Sequence, residues 1–179
     1  VVICRDKSKL DLDSVKQYYR DRLKFEAFDV CEEWAYKDVP RRILVEKYME
    51  DSSGDALMDY KWFCFDGEPK IMYMSRDASV HPTTDFFDMD FNPLPIRMQD
   101  PNSDVLPQKP AQFEQMKDMA RKLSKGIPLV RVDFYVINNQ IYFGEFTFYH
   151  CGGMQKIKPE EWNVKMGDMI RLYDSTKVK

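Results

Sequence analysis

The sequence predicts an α+β fold in which antiparallel strand pairs are flanked by helices. Two hairpins carry this prediction: apolar, β-rich runs flank Asp66-Gly67, and two more flank Asn138-Asn139. Both dipeptides suit the positive-φ turns that connect antiparallel strands. In addition, Pro110 precedes apolar residues at helical spacing, which predicts a helix over 111–124.

Composition is typical of a globular protein. The chain has 179 residues, of which 44% are hydrophobic and 32% charged, enough to bury a core. Its formal net charge of -3 does not favour nucleic acid or an anionic membrane as a partner. No apolar run reaches the roughly 20 residues of a membrane-spanning helix, so the sequence predicts no transmembrane segment.

Cysteine, histidine and glycine exclude several kinds of site. The four cysteines form no CxxC pair, and His81 and His150 do not have a metal-binding spacing. The first glycine is Gly54, so the chain contains no glycine-rich phosphate loop. Free thiols and the lack of a signal-like segment predict a cytoplasmic location. Because the chain opens at Val1 without an initiator Met, we expect it to be a fragment of a longer protein.

The other elements can be placed along the chain. Asp13 is the expected cap of a helix over residues 14–24, and residues 43–45 are expected to form a buried strand that leads into a polar connector. Residues 60–65 and 70–74 are the strands of the first hairpin. The proline-rich segment 77–110 shows little periodicity and is predicted to be a long irregular loop, a common form for a binding loop.

These elements suggest two small subdomains, each with an antiparallel sheet and flanking helices. The first covers residues 1–76, and the second covers 111–179. The irregular segment 77–110 connects them.

The second hairpin carries the candidate chemistry. Strand alternation puts Arg131, Asp133 and Tyr135 on one face, and Glu145 and Thr147 on one face of the partner strand. Two neighbouring carboxylates are suitable ligands for Mg²⁺, and the arginine adds a cation for phosphate. The alternative is an exposed face whose charges form ordinary cross-strand salt bridges.

The same residues resemble a known fold. Arg131-Val132-Asp133-Phe134-Tyr135, followed by Ile141-Tyr142-Phe143-Gly144-Glu145-Phe146-Thr147, is similar to the last two strands of the ATP-grasp superfamily. The segment 59–70 and the run Phe-Gly-Glu-Phe-Thr-Phe-Tyr at 143–149 resemble more narrowly the TupA-like ATP-grasp family. This resemblance spans nearly the whole chain and implies an ATP-grasp-like fold.

The resemblance also implies site residues. Asp133, Glu145 and Thr147 would hold Mg²⁺, although the wider superfamily usually has Asn in place of Thr147. Arg131 would be catalytic. Lys61 is a further catalytic candidate, because an inward lysine among aromatic residues needs an anion such as ATP phosphate; an outward position on an edge strand is the alternative. ATP would contact Lys61 and an adenine hinge formed by Glu46, Lys47, Tyr48 and Met49, and would lie between the two subdomains.

The implied activity is that of a carboxylate–amine ligase with an acyl phosphate intermediate. The TupA-like family is associated with teichuronopeptide, capsular and other surface polysaccharide biosynthesis. The expected partners are small-molecule or polymer-linked carboxylates and amines, and an N-terminal domain of the same protein that would lie before Val1. Two alternatives are a non-catalytic nucleotide-binding module and a sugar-nucleotide glycosyltransferase, whose DxD signature is matched by Asp88-Met89-Asp90.

Overall fold

The computed structural model describes residues 1–25, 28, 32–52, 57–76 and 82–172. The chain forms two compact units, which divide between Glu50 and Asp51. Among the described residues, every helix is too short or too polar to cross a membrane.

The first unit contains helix α1 (Leu12–Arg22) and two short 3-10 turns, Lys7–Lys9 and Trp34–Tyr36. Helix α1 confirms the predicted helix, but the cap is Asp11 rather than Asp13. The Asp11 Oδ1 atom accepts a hydrogen bond from the Ser14 backbone N–H at 3.1 Å, because only a residue preceding the first turn can reach its free N–H groups.

The predicted buried strand at 43–45 is wrong. Residues 41–50, all of which are described, form neither helix nor strand, and Leu44 and Val45 are 83% and 92% exposed. None of the described residues up to Glu50 is buried. A short apolar run becomes a buried strand only when a neighbouring strand pairs with it, and no strand does so at this point of the described chain.

The second unit contains a six-stranded antiparallel sheet. The six strands are β1 (Met58–Phe65), β2 (Glu68–Arg76), β3 (Thr83–Phe87), β4 (Pro93–Leu94), β5 (Leu129–Ile137) and β6 (Gln140–Thr147). Their order in the sheet is β4-β3-β2-β1-β5-β6, so β1 and β2 are the central strands and β5 lies beside β1.

Both predicted hairpins are confirmed. Asp66 and Gly67 connect β1 to β2 with φ values of 52° and 79°, and Asn138 and Asn139 connect β5 to β6 with 50° and 65°. Two successive positive φ angles are the signature of the tight turn that matches strand twist. The turn residues therefore set the register of each strand pair up to its irregularity, which lies between Phe63 and Cys64 in β1 and between Val132 and Phe134 in β5.

The segment 77–110 is more ordered than predicted. Residues 77–81 lie outside the described part, but β3 and β4 extend the sheet, and Ile96 is fully buried. The Asn102 side-chain amide donates to the backbone oxygens of Thr84 and Ile96, at 2.9 and 3.1 Å. These contacts join residues that are well separated in the segment. The sequence of the segment therefore shows no helix or strand periodicity, although the segment is ordered.

The sheet also unites the two hairpins that the sequence assigned to separate subdomains, 1–76 and 111–179. Strand β1 pairs directly with β5 from Asp59↔Tyr135 to Phe65↔Leu129. Both hairpins belong to the second compact unit, which begins at Asp51. Backbone pairing between distant strands, rather than the turn within each hairpin, produces this single sheet.

Helices and apolar segments cover both faces of the sheet. The predicted helix is observed as α2 (Phe113–Ser124), and α3 (Glu160–Asp168) follows the last strand. On one face α2 packs against a core that includes Trp62, Met72, Val130, Val132 and Phe134. On the other face Met166 of α3 joins Phe63, Phe65, Ile71, Tyr73, Phe86 and Ile96.

Candidate functional site

The paired strands β1 and β5 bring the predicted basic and acidic residues together. Lys61 lies directly opposite Asp133, and Phe63 opposite Arg131, so these side chains project from one face. Arg131 is 8% exposed and Asp133 1%. The alternative of an exposed salt-bridged face is therefore wrong for these two residues, because the face carrying them is covered.

Asp133 is the centre of the charged cluster. The Arg131 Nε and Nη2 atoms donate to its Oδ1 and Oδ2 at 2.8 and 2.7 Å. The Lys61 Nζ atom donates to Oδ2 at 2.8 Å. A bidentate guanidinium contact fixes the plane of a carboxylate, so Asp133 is held rigidly by two cations.

Lys61 points inward from a central strand, and its side chain is 15% exposed. The alternative of an edge-strand lysine is wrong, since β1 has a neighbour on each side. Besides Asp133, the Nζ atom contacts Asp59 Oδ2 at 3.3 Å. A buried ammonium group needs such anionic partners, and here protein carboxylates supply them.

Glu145 and Thr147 of β6 complete the cluster at its open side. Glu145 Oε1 lies 3.2 Å from Arg131 Nη2 and accepts a hydrogen bond from Thr147 Oγ1 at 3.1 Å. The Glu145 side chain is 63% exposed. Glu145 is therefore the carboxylate of the cluster that solvent and ligands reach most readily.

A strand irregularity aims Glu145 at the cluster. The β5–β6 register shifts between Val132 and Phe134, beside Gly144. A Cβ atom on Gly144 would lie 3.1 Å from Tyr135 Cε2 and 3.2 Å from the Asp133 carbonyl oxygen, closer than ordinary packing allows. The close backbone approach at this bulge accordingly favours glycine.

Four residues of the cluster were not predicted: Asp59, Tyr73, Tyr135 as a contact of the site, and His150. Asp59 precedes Lys61 by two positions, so strand alternation alone could have revealed it. Burial, followed by the hydrogen bond to Asp59, raises the pKa of Tyr135. The Tyr73 ring centroid lies 6.0 Å from Arg131 Cζ, a contact that the sequence does not signal.

Electrostatics fix the charge state of two groups. Burial lowers the pKa of Arg131, but the hydrogen bond to Asp133 and the nearby Tyr73, Asp133 and Glu145 outweigh it, so the pKa is raised overall. Burial, followed by the positive charge of Arg131, lowers the pKa of His150 from 6.5 to about 4. At neutral pH the cluster thus contains a guanidinium cation beside a neutral imidazole.

Comparison with known protein families identifies the family of this chain. The family model described as TupA-like ATPgrasp matches residues 1–171. The chain belongs to the TupA-like ATP-grasp family. ATP-grasp proteins typically bind ATP and Mg²⁺, so the family relation suggests an ATP-dependent enzyme. Searches of curated proteins and of solved structures gave no significant match.

The oxygen donors of this ATP-grasp chain fit magnesium by their chemistry. Asp133, Glu145 and Thr147 offer hard oxygen ligands, which Mg²⁺ prefers, usually together with waters and phosphate. Within the described ranges, no group of three or more His, Cys, Asp or Glu residues is spaced to enclose a metal. Glu145 is the open oxygen donor of this set, since both Asp133 oxygens contact Arg131 or Lys61.

The hinge residues of the ATP-grasp prediction lie in the first compact unit, apart from the cluster in the chain. Glu46, Lys47 and Tyr48 are exposed, and Met49 is half-buried. The Tyr48 ring centroid lies 5.1 Å from Arg5 Cζ. Their role in binding adenine stays a prediction.

The Asp88-Met89-Asp90 triplet has a local structural role in the ATP-grasp chain. Asp88 Oδ1 accepts hydrogen bonds from the backbone N–H groups of Asp90 and Asn92 at 2.9 and 2.8 Å, and Oδ2 accepts one from the Asn92 side chain at 2.9 Å. This pattern is an Asx turn. The carboxylate stabilises the connection between β3 and β4.

Proposed function

We propose that this chain of the TupA-like ATP-grasp family is part of an ATP-dependent carboxylate–amine ligase. A carboxylate oxygen attacks the γ-phosphorus of ATP, releasing ADP and forming an acyl phosphate. An amine then attacks the acyl carbon, inorganic phosphate leaves and an amide results. The observation that carries this proposal is the cluster of Lys61, Arg131, Asp133 and Glu145 on one sheet face of an ATP-grasp chain.

Each residue of the cluster has a proposed role. Asp133, Glu145 and Thr147 hold Mg²⁺, which, when bound, supplies positive charge to the β- and γ-phosphates. Arg131 stabilises the negative charge that develops during acyl transfer. Lys61 binds phosphate, for which it exchanges its contact with Asp133, and residues 46–49 bind adenine.

The proposed substrates are carboxylates and amines of cell-surface polymers, such as uronic acid or amino acid groups in capsular or other exopolysaccharides. The resemblance to the TupA-like family supports this setting. A fixed guanidinium such as that of Arg131 suits a carboxylate or its phosphorylated form.

A non-catalytic nucleotide-binding module is the second candidate. It is favoured by the pairing of both Asp133 oxygens with Arg131 and Lys61, which leaves Glu145 as the more open metal ligand. A sugar-nucleotide glycosyltransferase, the third reading of the sequence, loses support because Asp88 of the DxD triplet is bound within its own turn.

The first test is calorimetric titration of Mg²⁺-ATP into the chain. We expect magnesium-dependent binding that weakens at least about tenfold in Asp133→Asn and in Glu145→Gln. Asp118→Asn and Glu161→Gln are matched controls, because both carboxylates are exposed on helices, at 64% and 62%. Equal weakening in the controls, or binding that does not require magnesium, would contradict the proposed site.

The second test separates the candidate functions. Incubation with ATP and one of a panel of carboxylates should form ADP and the acyl phosphate, and addition of an amine should give sustained release of ADP and phosphate with formation of the amide. Binding without turnover over the whole panel would favour the non-catalytic module. Tighter binding of a Mg²⁺-UDP-sugar than of Mg²⁺-ATP would overturn the ligase proposal in favour of a glycosyltransferase.

A further inference from the structure

His150 lies at the edge of the Arg131 guanidinium that Asp133 leaves open. The Arg131 Nε and Nη2 atoms are bound by Asp133, and Nη2 also contacts Glu145. The remaining nitrogen, Nη1, lies 2.6 Å from His150 Nδ1. All three guanidinium nitrogens are therefore held by protein atoms.

The His150 ring is itself fixed by aromatic neighbours. It lies edge-on to Phe63, with ring centroids 5.3 Å apart, and 6.0 Å from Tyr73 at an interplanar angle of 54°. Both neighbours come from the central strands β1 and β2. A ring that is packed against two aromatic neighbours keeps one orientation, so the Nδ1 atom of His150 points in one direction.

The proton of His150 follows from its partner. A guanidinium group only donates hydrogen bonds, so Nδ1 must carry a lone pair and the imidazole proton must lie on Nε2. In an imidazolium, the Nδ1–H group would face the Nη1–H group of Arg131, and two positive charges would lie side by side. The lowered pKa of His150, caused first by burial and then by Arg131, agrees with this neutral tautomer.

We infer that His150 is a positioning residue that holds Arg131 in the orientation in which it binds Asp133 and faces Glu145. A neutral acceptor satisfies the Nη1–H group without adding a further negative charge to a guanidinium that already contacts Asp133 and Glu145. Arg131 thereby keeps one orientation between Asp133 and His150, beside the exposed carboxylate of Glu145. The consequence for nucleotide binding rests on the proposed function, whereas the contact itself does not.

Nitrogen NMR on the chain tests the contact directly. At pH 7 we expect the neutral His150 tautomer with Nδ1 unprotonated, assigned with a His150→Asn variant. The guanidinium protons of Arg131, whose signals are assigned with Arg131→Lys, should exchange slowly with solvent. An Nδ1-protonated or doubly protonated His150 would overturn the inference.

Two substitutions separate positioning from packing. His150→Phe keeps an aromatic ring against Phe63 and Tyr73 but lacks the acceptor. His150→Asn places an oxygen near the Nδ1 position without the ring. We expect exchange of the Arg131 guanidinium protons to quicken about tenfold in the Phe variant, which loses one hydrogen bond, and to return close to the wild-type rate in the Asn variant. Unchanged exchange in the Phe variant would contradict the inference.

Mg²⁺-ATP titration of the same variants provides the functional readout. The Phe variant should bind about tenfold more weakly than the wild type, and the Asn variant within about threefold of it. If the wild type binds Mg²⁺-ATP and the Phe variant binds it equally well, the role of His150 in nucleotide binding would be overturned. If the wild type does not bind ATP, the proposed function fails, while the NMR result still decides whether His150 positions Arg131.

Discussion

Arg131 and Asp133 form an ion pair that is almost completely removed from solvent. Their two hydrogen bonds of 2.8 and 2.7 Å satisfy charges that would otherwise destabilise the fold. We expect Arg131→Met to lower the free energy of unfolding by about 3 kcal/mol, since it leaves a buried carboxylate with one cation fewer. Urea denaturation measures this loss.

A double-mutant cycle provides the control for this prediction. Adding Asp133→Asn to Arg131→Met should recover part of the loss, because the unpaired charge is removed. The exposed pair Arg121–Glu68, joined at 2.9 Å, should contribute less than about 1 kcal/mol in Arg121→Met. If Arg131→Met and Arg121→Met lower the free energy of unfolding by similar amounts, burial does not determine how much the ion pair contributes.

His150 makes stability depend on pH in a defined direction. Its pKa is lowered from 6.5 to about 4 in the folded chain, mainly by burial and then by the positive charge of Arg131. Lys61 also lowers the pKa, whereas the negative charge of Asp133 raises it. The unfolded chain therefore binds more protons between these values, so the stability that His150 contributes is complete above pH 6.5 and is lost as pH falls towards 4.

The measurement is the free energy of unfolding from pH 7 to pH 4 for the wild type and for His150→Asn. As the pH falls from 7 to 4, the free energy of unfolding of the wild type should decrease more than that of His150→Asn. Carboxylates titrate in both proteins and cancel in the comparison. A constant difference would show that His150 does not keep a lowered pKa.

At the scale of secondary structure, the bulge at Gly144 links strand geometry to the site. Gly144→Ala should lower the free energy of unfolding by about 1–3 kcal/mol, because the added methyl group meets Tyr135 and the Asp133 backbone. Gly167→Ala is a matched control in helix α3 with nothing within 4 Å of the added atom, and it should stabilise by about 0.5–1 kcal/mol.

Both substitutions can be compared by thermal and urea unfolding. A rise in stability for Gly144→Ala would mean that β6 shifts easily at the bulge. The register that aims Glu145 at Arg131 would then be loosely fixed. The same variant should also weaken Mg²⁺-ATP binding if the proposed site is correct, whereas Gly167→Ala should not.

At the scale of the whole molecule, the second compact unit contains both core clusters of the sheet. Every residue of these clusters lies between Met58 and Ile170. We therefore expect residues 51–179, expressed alone, to unfold in one cooperative transition with a far-UV spectrum dominated by antiparallel strand. A gradual loss of signal would mean that the sheet needs residues 1–50 to fold.

Local signals in the sequence were enough to predict the hairpins and the candidate chemistry. Asp66-Gly67 and Asn138-Asn139 specify tight turns because few residues adopt positive φ at low cost. Strand alternation then places Arg131 and Asp133 on one face. The motif at residues 131–147 further indicated the ATP-grasp family, which the match over residues 1–171 confirms.

Elements that depend on distant partners could not be predicted in the same way. The apolar run 43–45 reads as a strand but has no pairing neighbour among the described residues, whereas β3 and β4 lack a clear pattern yet extend the sheet. Proline and aspartate obscured the periodicity of the segment 77–110. Its order comes from side-chain contacts such as those of Asn102 with Thr84 and Ile96.

By itself, then, the sequence determined the α+β class, the two turns, the family and the face that carries the charged residues, because each of these depends on residues close together in the chain. Only the tertiary structure decided that Arg131 and Asp133 on this face are buried, that Lys61 contacts Asp133 across 72 positions and that His150 contacts the Nη1 atom of Arg131. Burial and charge pairing are properties of the assembled sheet, since they arise when β1, β5 and the covering segments pack together.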